Sequence, residues 1–156
     1  MASRRRVNPL IPPPVIAAII GALMWAVDRT LSFGKIEFDF QVAAALVLAA
    51  IGLLLMAFAV GHFIAARTSI NPLRPSRASH LITGGIYAIS RNPIYLGDLL
   101  MLAAFAVWLG NALNAALLVL FIAYINRYQI VPEERALAQR FGPAYAAYCS
   151  RVRRWL

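Results

Sequence analysis

Residues 41–66 read QVAAALVLAAIGLLLMAFAVGHFIAA, a run of 26 residues in which His62 is the one ionisable side chain. As an α-helix this run would be about 39 Å long, and about 20 apolar residues suffice to cross the hydrocarbon core of a bilayer. The run is therefore predicted to span a membrane with some tilt. His62 stands near its end, and we expect it at the membrane interface.

Three further apolar runs accompany this one. Hydrophobic residues make up 62% of the 156-residue chain, and its mean hydropathy is +0.71, whereas soluble domains are about 45–50% apolar. The sequence predicts an all-α integral membrane protein with about four transmembrane helices and a single domain over residues 1–156. The predicted spans are about 10–27, 41–66, 94–109 and 112–131.

The last two spans are separated by little more than Gly110-Asn111. So short a connection predicts an antiparallel helical hairpin. The polar segment 132–156 is predicted to be a short helical C-terminal tail in two pieces. Gly142 would end the first piece and Pro143 would begin the second.

Charge predicts the topology. Of the 15 basic residues, 13 lie before the first span, between the second and third, or from the end of the fourth span at Arg127 onward. The positive-inside rule then places both termini in the cytoplasm, with Arg29 and Lys35 outside. Residues 67–93 and 127–156 would thus face one compartment and could build one site together.

The net charge of +9 suits anionic membrane lipids better than nucleic acid, because the basic residues flank the apolar runs. The arginines 4–6 are followed by an apolar run without a cleavage site, which predicts a retained anchor, as in a bacterial inner-membrane protein. Cys149, the lone cysteine, excludes an internal disulfide framework and is expected to be an ordinary helix residue.

The stretch SHLITGGIYAISRNPIYLGD (79–98) stands directly before the third span. Gly84-Gly85 permits close approach of the backbone to a ligand, and Pro93 suits a helix start whose free N–H groups could bind one. Tyr87 and Tyr95 offer flat faces for stacking on a purine. The alternative is an interfacial turn, with these tyrosines in the aromatic belt.

The stretch YQIVPEERALAQRFGPAYAAYCSRVRRW (128–155) carries Glu133 and Glu134 at an expected helix start, where carboxylates complement the helix dipole. Apolar and aromatic residues then recur at helical spacing, a pattern typical of a docking face. These are Leu137, Phe141, Tyr145, Tyr148 and Val152.

HLITGGIYAISRNPIY followed by PEERALAQRFGPAYAAYCSRVRR resembles the isoprenylcysteine carboxyl methyltransferase family, within a wider group of membrane methyltransferases that includes the phospholipid N-methyltransferases. The resemblance covers roughly residues 76–156. It rests on the order and spacing of several short motifs in a membrane setting, since each motif alone is weakly specific.

The resemblance implies an enzyme that uses S-adenosylmethionine and methylates a lipid-like or prenylated substrate entering from the bilayer. In this family's chemistry the substrate nucleophile attacks the sulfonium methyl group in line, and no metal is required. Carried over by position, the cofactor contacts would be His80, Leu81, Ile82, Gly85, Tyr87, Asn92, Pro93, Ile94, Tyr95 and Glu133. Leu81 and Ile82 would line the adenine pocket, and Glu133 would hold the ammonium or ribose hydroxyls.

Two positions depart from the family pattern. Asn92 stands where the family usually has histidine, and Gln129 stands at the position of a substrate-related arginine, for which Arg127 could substitute. No catalytic residue is assigned, and the candidate substrate residues are Arg91, Arg127 and Glu134.

The methyl acceptor is left open by these residues. An isoprenylcysteine-like carboxylate would need an orienting cation such as Arg127 or Arg91. A phospholipid amine would need a base such as Glu134. A non-enzymatic small membrane protein is the other alternative, and Asp98, inside the third span, would then be the functional residue.

Overall fold

The computed structural model describes residues 11–31, 33–65 and 80–156. Within these ranges the chain forms α-helices and no strand, which confirms the all-α prediction. The arginines 4–6 and the start of the resemblance at 76–79 lie outside the described residues. The helices are α1 (Pro13–Thr30), α2 (Gln41–Ala65), α3 (Pro93–Leu109), α4 (Asn114–Ile125), α5 (Val131–Phe141) and α6 (Pro143–Arg151).

Among the described residues, three helical segments are long and apolar enough to cross a membrane: α1, α2 and the continuous stretch Asn114–Phe141. Helix α3 is a shorter apolar helix of 17 residues, about 25 Å long. The protein is an integral membrane protein by these helices, and the count of four spans stays a prediction.

The predicted hairpin of α3 and α4 is confirmed. Helix α3 ends at Gly110, whose φ of +63° is the left-handed conformation that glycine adopts without strain. The loop after α1 is bonded to this turn, because the Ile36 N–H donates to the Gly110 carbonyl (2.7 Å) and the Ala112 N–H donates to the Gly34 carbonyl (2.8 Å).

The end of the fourth span near Val131 stays a prediction, but the helix itself continues past this residue. A π-helical turn, Asn126–Ile130, joins α4 to α5 without a break. Pro132 has no N–H and crowds the preceding turn, and the wider π turn accommodates it, with the Val131 N–H bonded to the Asn126 carbonyl. The predicted end of the first tail helix before Gly142 and the start of the second at Pro143 are confirmed.

The core lies between α1, α3 and α4. Its buried members include Ile20 and Met24 of α1, Leu102 of α3, and Phe121 and Ile125 of α4. Together they fix the hairpin against the first helix by apolar packing.

Helix α2 approaches α3 through two glycines. A Cβ on Gly97 would lie 2.3 Å from Cγ of Met56 and 2.9 Å from the carbonyl oxygen of Gly52. A Cβ on Gly52 would lie 3.0 Å from the Gly97 carbonyl oxygen. The two backbones therefore touch here, as small residues permit between membrane helices.

Gly97→Ala is expected to lower the stability of the folded protein by about 1–3 kcal/mol, because the added methyl overlaps backbone that cannot move without separating α2 from α3. The measurement is an unfolding midpoint in detergent. Gly61→Ala is the control on α2, since nothing lies within 4 Å of its Cβ position; equal effects of the two substitutions would contradict this account of the packing.

Candidate functional site

The candidate site lies where α3 begins and α5 starts. A 3₁₀ turn, Gly85–Ala88, precedes α3, and Asn92 and Pro93 open that helix. The turn and the helix start contact α5, α6 and the C-terminal residues through the bonds described below. The two segments that the sequence places on one side of the membrane thus meet in the fold.

Tyr95 and Glu133 form the central contact between these segments. The Tyr95 hydroxyl, in the first turn of α3, donates to Oε1 of Glu133 at 2.6 Å. Tyr95 is buried, with 6% of its surface exposed. None of the described residues bonds to the other carboxylate oxygen, Oε2, so this oxygen can accept from a ligand.

Glu134, the next residue, bonds to two arginines. Arg154 reaches both of its oxygens, with Nε to Oε1 at 3.1 Å and Nη2 to Oε2 at 2.6 Å. Arg91 Nη2 lies 3.2 Å from Oε1, and Arg91 Nη1 also contacts Sγ of Cys149. The bond to Glu134 is the main cause that raises the pKa of Arg154 above its usual range.

The residues before α3 pair with the C-terminal segment. The Arg91 N–H donates to the Arg153 carbonyl (3.1 Å), and Nδ2 of Asn92 donates to the Arg154 carbonyl (2.9 Å). The buried Ser90 hydroxyl accepts from the Asn92 N–H at 3.1 Å. The Asn92 side chain is therefore bound to the protein's own backbone.

Tyr87 packs between α2 and α6. Its ring meets Phe63 edge-on with 5.5 Å between centroids, and its carbonyl accepts from the Tyr148 hydroxyl at 2.7 Å. Burial raises the pKa of Tyr148 to about 12, although the charge of Arg91 opposes the shift. Burial, then the charges of Tyr148 and Glu133, raise the pKa of Tyr87 further. Both hydroxyls stay protonated at neutral pH.

Both the backbone conformation at Gly85 and the space around it favour glycine at this position. Its φ is +58°, and a Cβ there would lie 1.9 Å from Nε2 of His62. The His62 ring, whose Nδ1 lies 2.8 Å from the Phe58 carbonyl, thus rests on the turn. The neighbouring Gly84 has nothing within 4 Å of its Cβ position.

The predicted docking face is confirmed. Tyr145, Tyr148 and Val152 form a buried cluster, with Leu137 and Phe141 packed against it. Leu81, a predicted adenine contact, packs on the same cluster. Of the other predicted cofactor residues, Ile82 and Ile94 are half-buried, Pro93 is buried and His80 is exposed.

Arg127, a predicted substrate residue, and Gln129, at the position of the family's arginine, lie outside the contacts described above. Arg127 is exposed on the π turn, with its guanidinium 5.9 Å from the Tyr128 ring centroid. Gln129 is buried, and its Nε2 donates to the Ile11 carbonyl at 2.8 Å. Its Oε1 is buried without a hydrogen-bond partner.

A separate cavity of about 380 Å³ lies at the opposite end of α3. None of the predicted site residues lines it. Its lining residues are Lys35, Glu37, Phe38, Asp39, Gln41, Val42, Trp108, Leu109 and Gly110.

Sequence reasoning missed several contributors to the site. The sequence does not predict that Arg154 binds Glu134, that the Tyr148 hydroxyl bonds to the Tyr87 carbonyl, or that His62 lies against Gly85. The Ser90-x-Asn92 spacing is a local signal that could have been found, because serine hydroxyls bond to the backbone two residues on. The partners of Arg154 depend on residues 20 and more positions away, so no local pattern predicts them.

Comparisons with known proteins agree on a family. The model of the phospholipid methyltransferase family matches residues 40–144. A Haemophilus influenzae protein described as uncharacterized is 46% identical over 63 residues, which are 40% of this chain and 100% of that protein. No solved structure matches the chain significantly.

A second relative is the Protein-S-isoprenylcysteine O-methyltransferase B of Arabidopsis thaliana, 32% identical over 90 residues. The match covers 56% of this chain and 46% of the relative, so the chain spans about half the length of that protein. The name of this relative agrees with the family that the sequence resemblance indicates. Because the family match extends over well over half of the chain, this integral membrane protein belongs to the phospholipid methyltransferase family.

Proposed function

We propose that the protein is an S-adenosylmethionine-dependent methyltransferase that acts on a membrane-embedded, lipid-like acceptor. The observation that carries this proposal is the Tyr95–Glu133 bond of 2.6 Å. It joins the two segments of the sequence resemblance and leaves one carboxylate oxygen of Glu133 open to a ligand.

The residues around the Tyr95–Glu133 contact fit S-adenosylmethionine. Glu133 supplies a carboxylate for an ammonium or ribose hydroxyls, and the first N–H groups of α3 have no partner within the helix. The turn that carries Gly85 lies against His62, and the buried rings of Tyr87 and Tyr95 provide apolar surface. When bound, S-adenosylmethionine supplies an electrophilic methyl group on a sulfonium centre.

The protein's own contribution is to hold and shield the acceptor. Its residues place the nucleophile in line with the methyl group and keep water out, which is where most of the rate enhancement would arise. The apolar surfaces of α3 and α4 would hold the acceptor's tail, while its polar end reaches the level of Glu133.

The first candidate acceptor is an isoprenylcysteine-like carboxylate, methylated on oxygen. A carboxylate is nucleophilic at neutral pH and needs an orienting cation rather than a base. Arg91 is already paired with Glu134, so we assign this role to the exposed Arg127. The partial match to the Arabidopsis O-methyltransferase supports this acceptor.

The second candidate is a phospholipid amine, methylated on nitrogen. An amine must lose a proton before it attacks, so carboxylates near the acceptor would matter. Asp98 lies one turn beyond Tyr95 on α3 and is partly buried, so a second carboxylate stands on the helix that carries Tyr95. The name of the matching family model supports this acceptor.

The orientation in the membrane follows from the same proposal. Both termini would lie in the cytoplasm, with the site on the cytoplasmic side of a bacterial inner membrane, where S-adenosylmethionine is made available. The exposed Arg151 and Arg153 would meet anionic lipid headgroups.

Calorimetric titration of S-adenosylhomocysteine into purified protein tests cofactor use. Glu133→Gln should weaken binding by about tenfold or more, because a hydrogen bond to a charged group is lost. Tyr95→Phe should weaken it less, because the carboxylate remains but loses its orienting donor. Glu37→Gln, at the opposite end, is the control. No binding by folded wild-type protein at about 1 mM ligand would contradict the proposal.

Gly85→Ala should also abolish or strongly weaken S-adenosylhomocysteine binding, since the methyl overlaps His62 and the backbone φ is unfavourable for alanine. Gly84→Ala is the matched control and should bind normally. Adding His62→Ala to Gly85→Ala should restore part of the affinity by removing the overlap. Normal binding by Gly85→Ala would show that the turn does not seat the cofactor.

Transfer of a labelled methyl group separates the acceptors. Wild-type membranes should label small prenylcysteine analogues if the acceptor is a carboxylate, and total phospholipid if it is an amine. In the first case Arg127→Gln should raise the acceptor KM about tenfold, while Arg29→Gln leaves it unchanged. An unchanged KM in Arg127→Gln would remove Arg127 from the proposed acceptor site.

A further inference from the structure

Glu134 and its two arginines, Arg91 and Arg154, form a cluster that we call the Glu134 ion cluster. The side chains of Glu134 and Arg91 are 18% and 15% exposed, and that of Arg154 is 38% exposed. An Arg–carboxylate pair that uses two parallel bonds has a defined geometry, unlike most surface ion pairs. The cluster can therefore fix the positions of the groups it joins.

The cluster joins three parts of the chain. Arg91 belongs to the turn before α3, Glu134 to the first turn of α5, and Arg154 to the C-terminal segment. Each of the first two stands directly beside a predicted cofactor residue, Asn92 or Glu133. A shift of Glu134 would therefore move both halves of the site.

Further hydrogen bonds attach the C-terminal residues 153–155 to the two halves of the site. The carbonyl groups of Arg153 and Arg154 accept from the backbone of Arg91 and the side chain of Asn92. The Trp155 indole donates to Oδ1 of Asn126 on the π turn at 3.2 Å. The segment 153–155 thus contacts both halves, and among the described residues Glu134 forms the ion pair that holds it.

Both oxygens of Glu134 already accept hydrogen bonds from guanidinium groups. A general base for the acceptor would need an oxygen directed at it. Three of the roughly four acceptor positions of the Glu134 carboxylate face guanidinium nitrogens, whereas the described residues bond to one oxygen of Glu133.

We propose that Glu134 is a positioning residue: it holds the turn before α3 and the C-terminal segment against α5, and thereby places Asn92 and Glu133 for cofactor binding. This inference rests on the proposed function for its kinetic consequences. It replaces a direct role of Glu134 toward the acceptor with an action through Arg91 and Arg154.

Removal of the charge should loosen the turn without unfolding the hairpin. Glu134→Gln keeps the shape but leaves two guanidinium groups side by side without a counter-charge. We expect faster amide hydrogen exchange in residues 84–92 and 153–155, with unchanged exchange in the α3–α4 hairpin. We expect a Kd for S-adenosylhomocysteine that rises about tenfold or more.

The experiment combines hydrogen-exchange mass spectrometry in nanodiscs with calorimetry. Asp28→Asn is the matched control, because it breaks an ion pair with Lys35 at the other end of the helices. The control should change neither the exchange of 84–92 nor the Kd. The Arg154→Lys variant keeps the charge but loses the two-bond geometry, so its effects should lie between those of wild type and Glu134→Gln. Arg154→Lys also tests the inference if Glu134→Gln does not fold.

The results distinguish failure of the inference about Glu134 from failure of the proposed function. A wild-type Kd and wild-type exchange in Glu134→Gln and in Arg154→Lys would overturn the inference. A rise in the acceptor KM alone, with the Kd for S-adenosylhomocysteine and the exchange unchanged, would also overturn it and return Glu134 to the acceptor site. If the wild-type protein binds no S-adenosylhomocysteine, the proposed function fails, and the exchange of residues 84–92 still decides whether Glu134 holds the turn.

Discussion

The unbroken helix from Asn114 to Phe141 is the constraint on which the rest of the site depends. Its 28 residues make it about 42 Å long, whereas the hydrocarbon core is about 30 Å thick. A helix of this length is longer than the apolar layer, and it connects Glu133 and Glu134 at its polar end to the buried core at Phe121 and Ile125. The candidate site and the apolar core are thus connected through one helix.

The π turn in this helix makes the coupling possible. Pro132 removes one backbone donor, and an ordinary helix would kink or stop there. The wider turn keeps the chain helical and turns the residues that follow toward α3, where Glu133 meets Tyr95. The local departure from α-helical geometry therefore lies at the functional end of the helix, as is common for such turns.

The other half of the site depends on close backbone approach. Helix α3 begins beside the turn that carries Gly85, and α2 contacts both, through Gly52 against Gly97 and through His62 against Gly85. Helix α2 thus contacts the turn through His62, and the C-terminal segment contacts it through the Arg153 carbonyl. A site between helices and a short tail can be rigid when contacts of this kind surround it.

The sequence by itself determined the helical membrane class, the α3–α4 hairpin, the break at Gly142-Pro143 and the docking face of α5 and α6. Each of these follows from local composition, from spacing or from the backbone chemistry of glycine and proline, which act over a few residues. The sequence also predicts that the segments around Tyr95 and Glu133 face one compartment. Only the tertiary structure decided that these two side chains share a hydrogen bond, that the helix continues past Val131, and that Glu134 is bound by Arg91 and Arg154. Those outcomes depend on the relative positions of elements far apart in the chain, and a charge or a hydroxyl carries no local signal of the partner that folding brings to it.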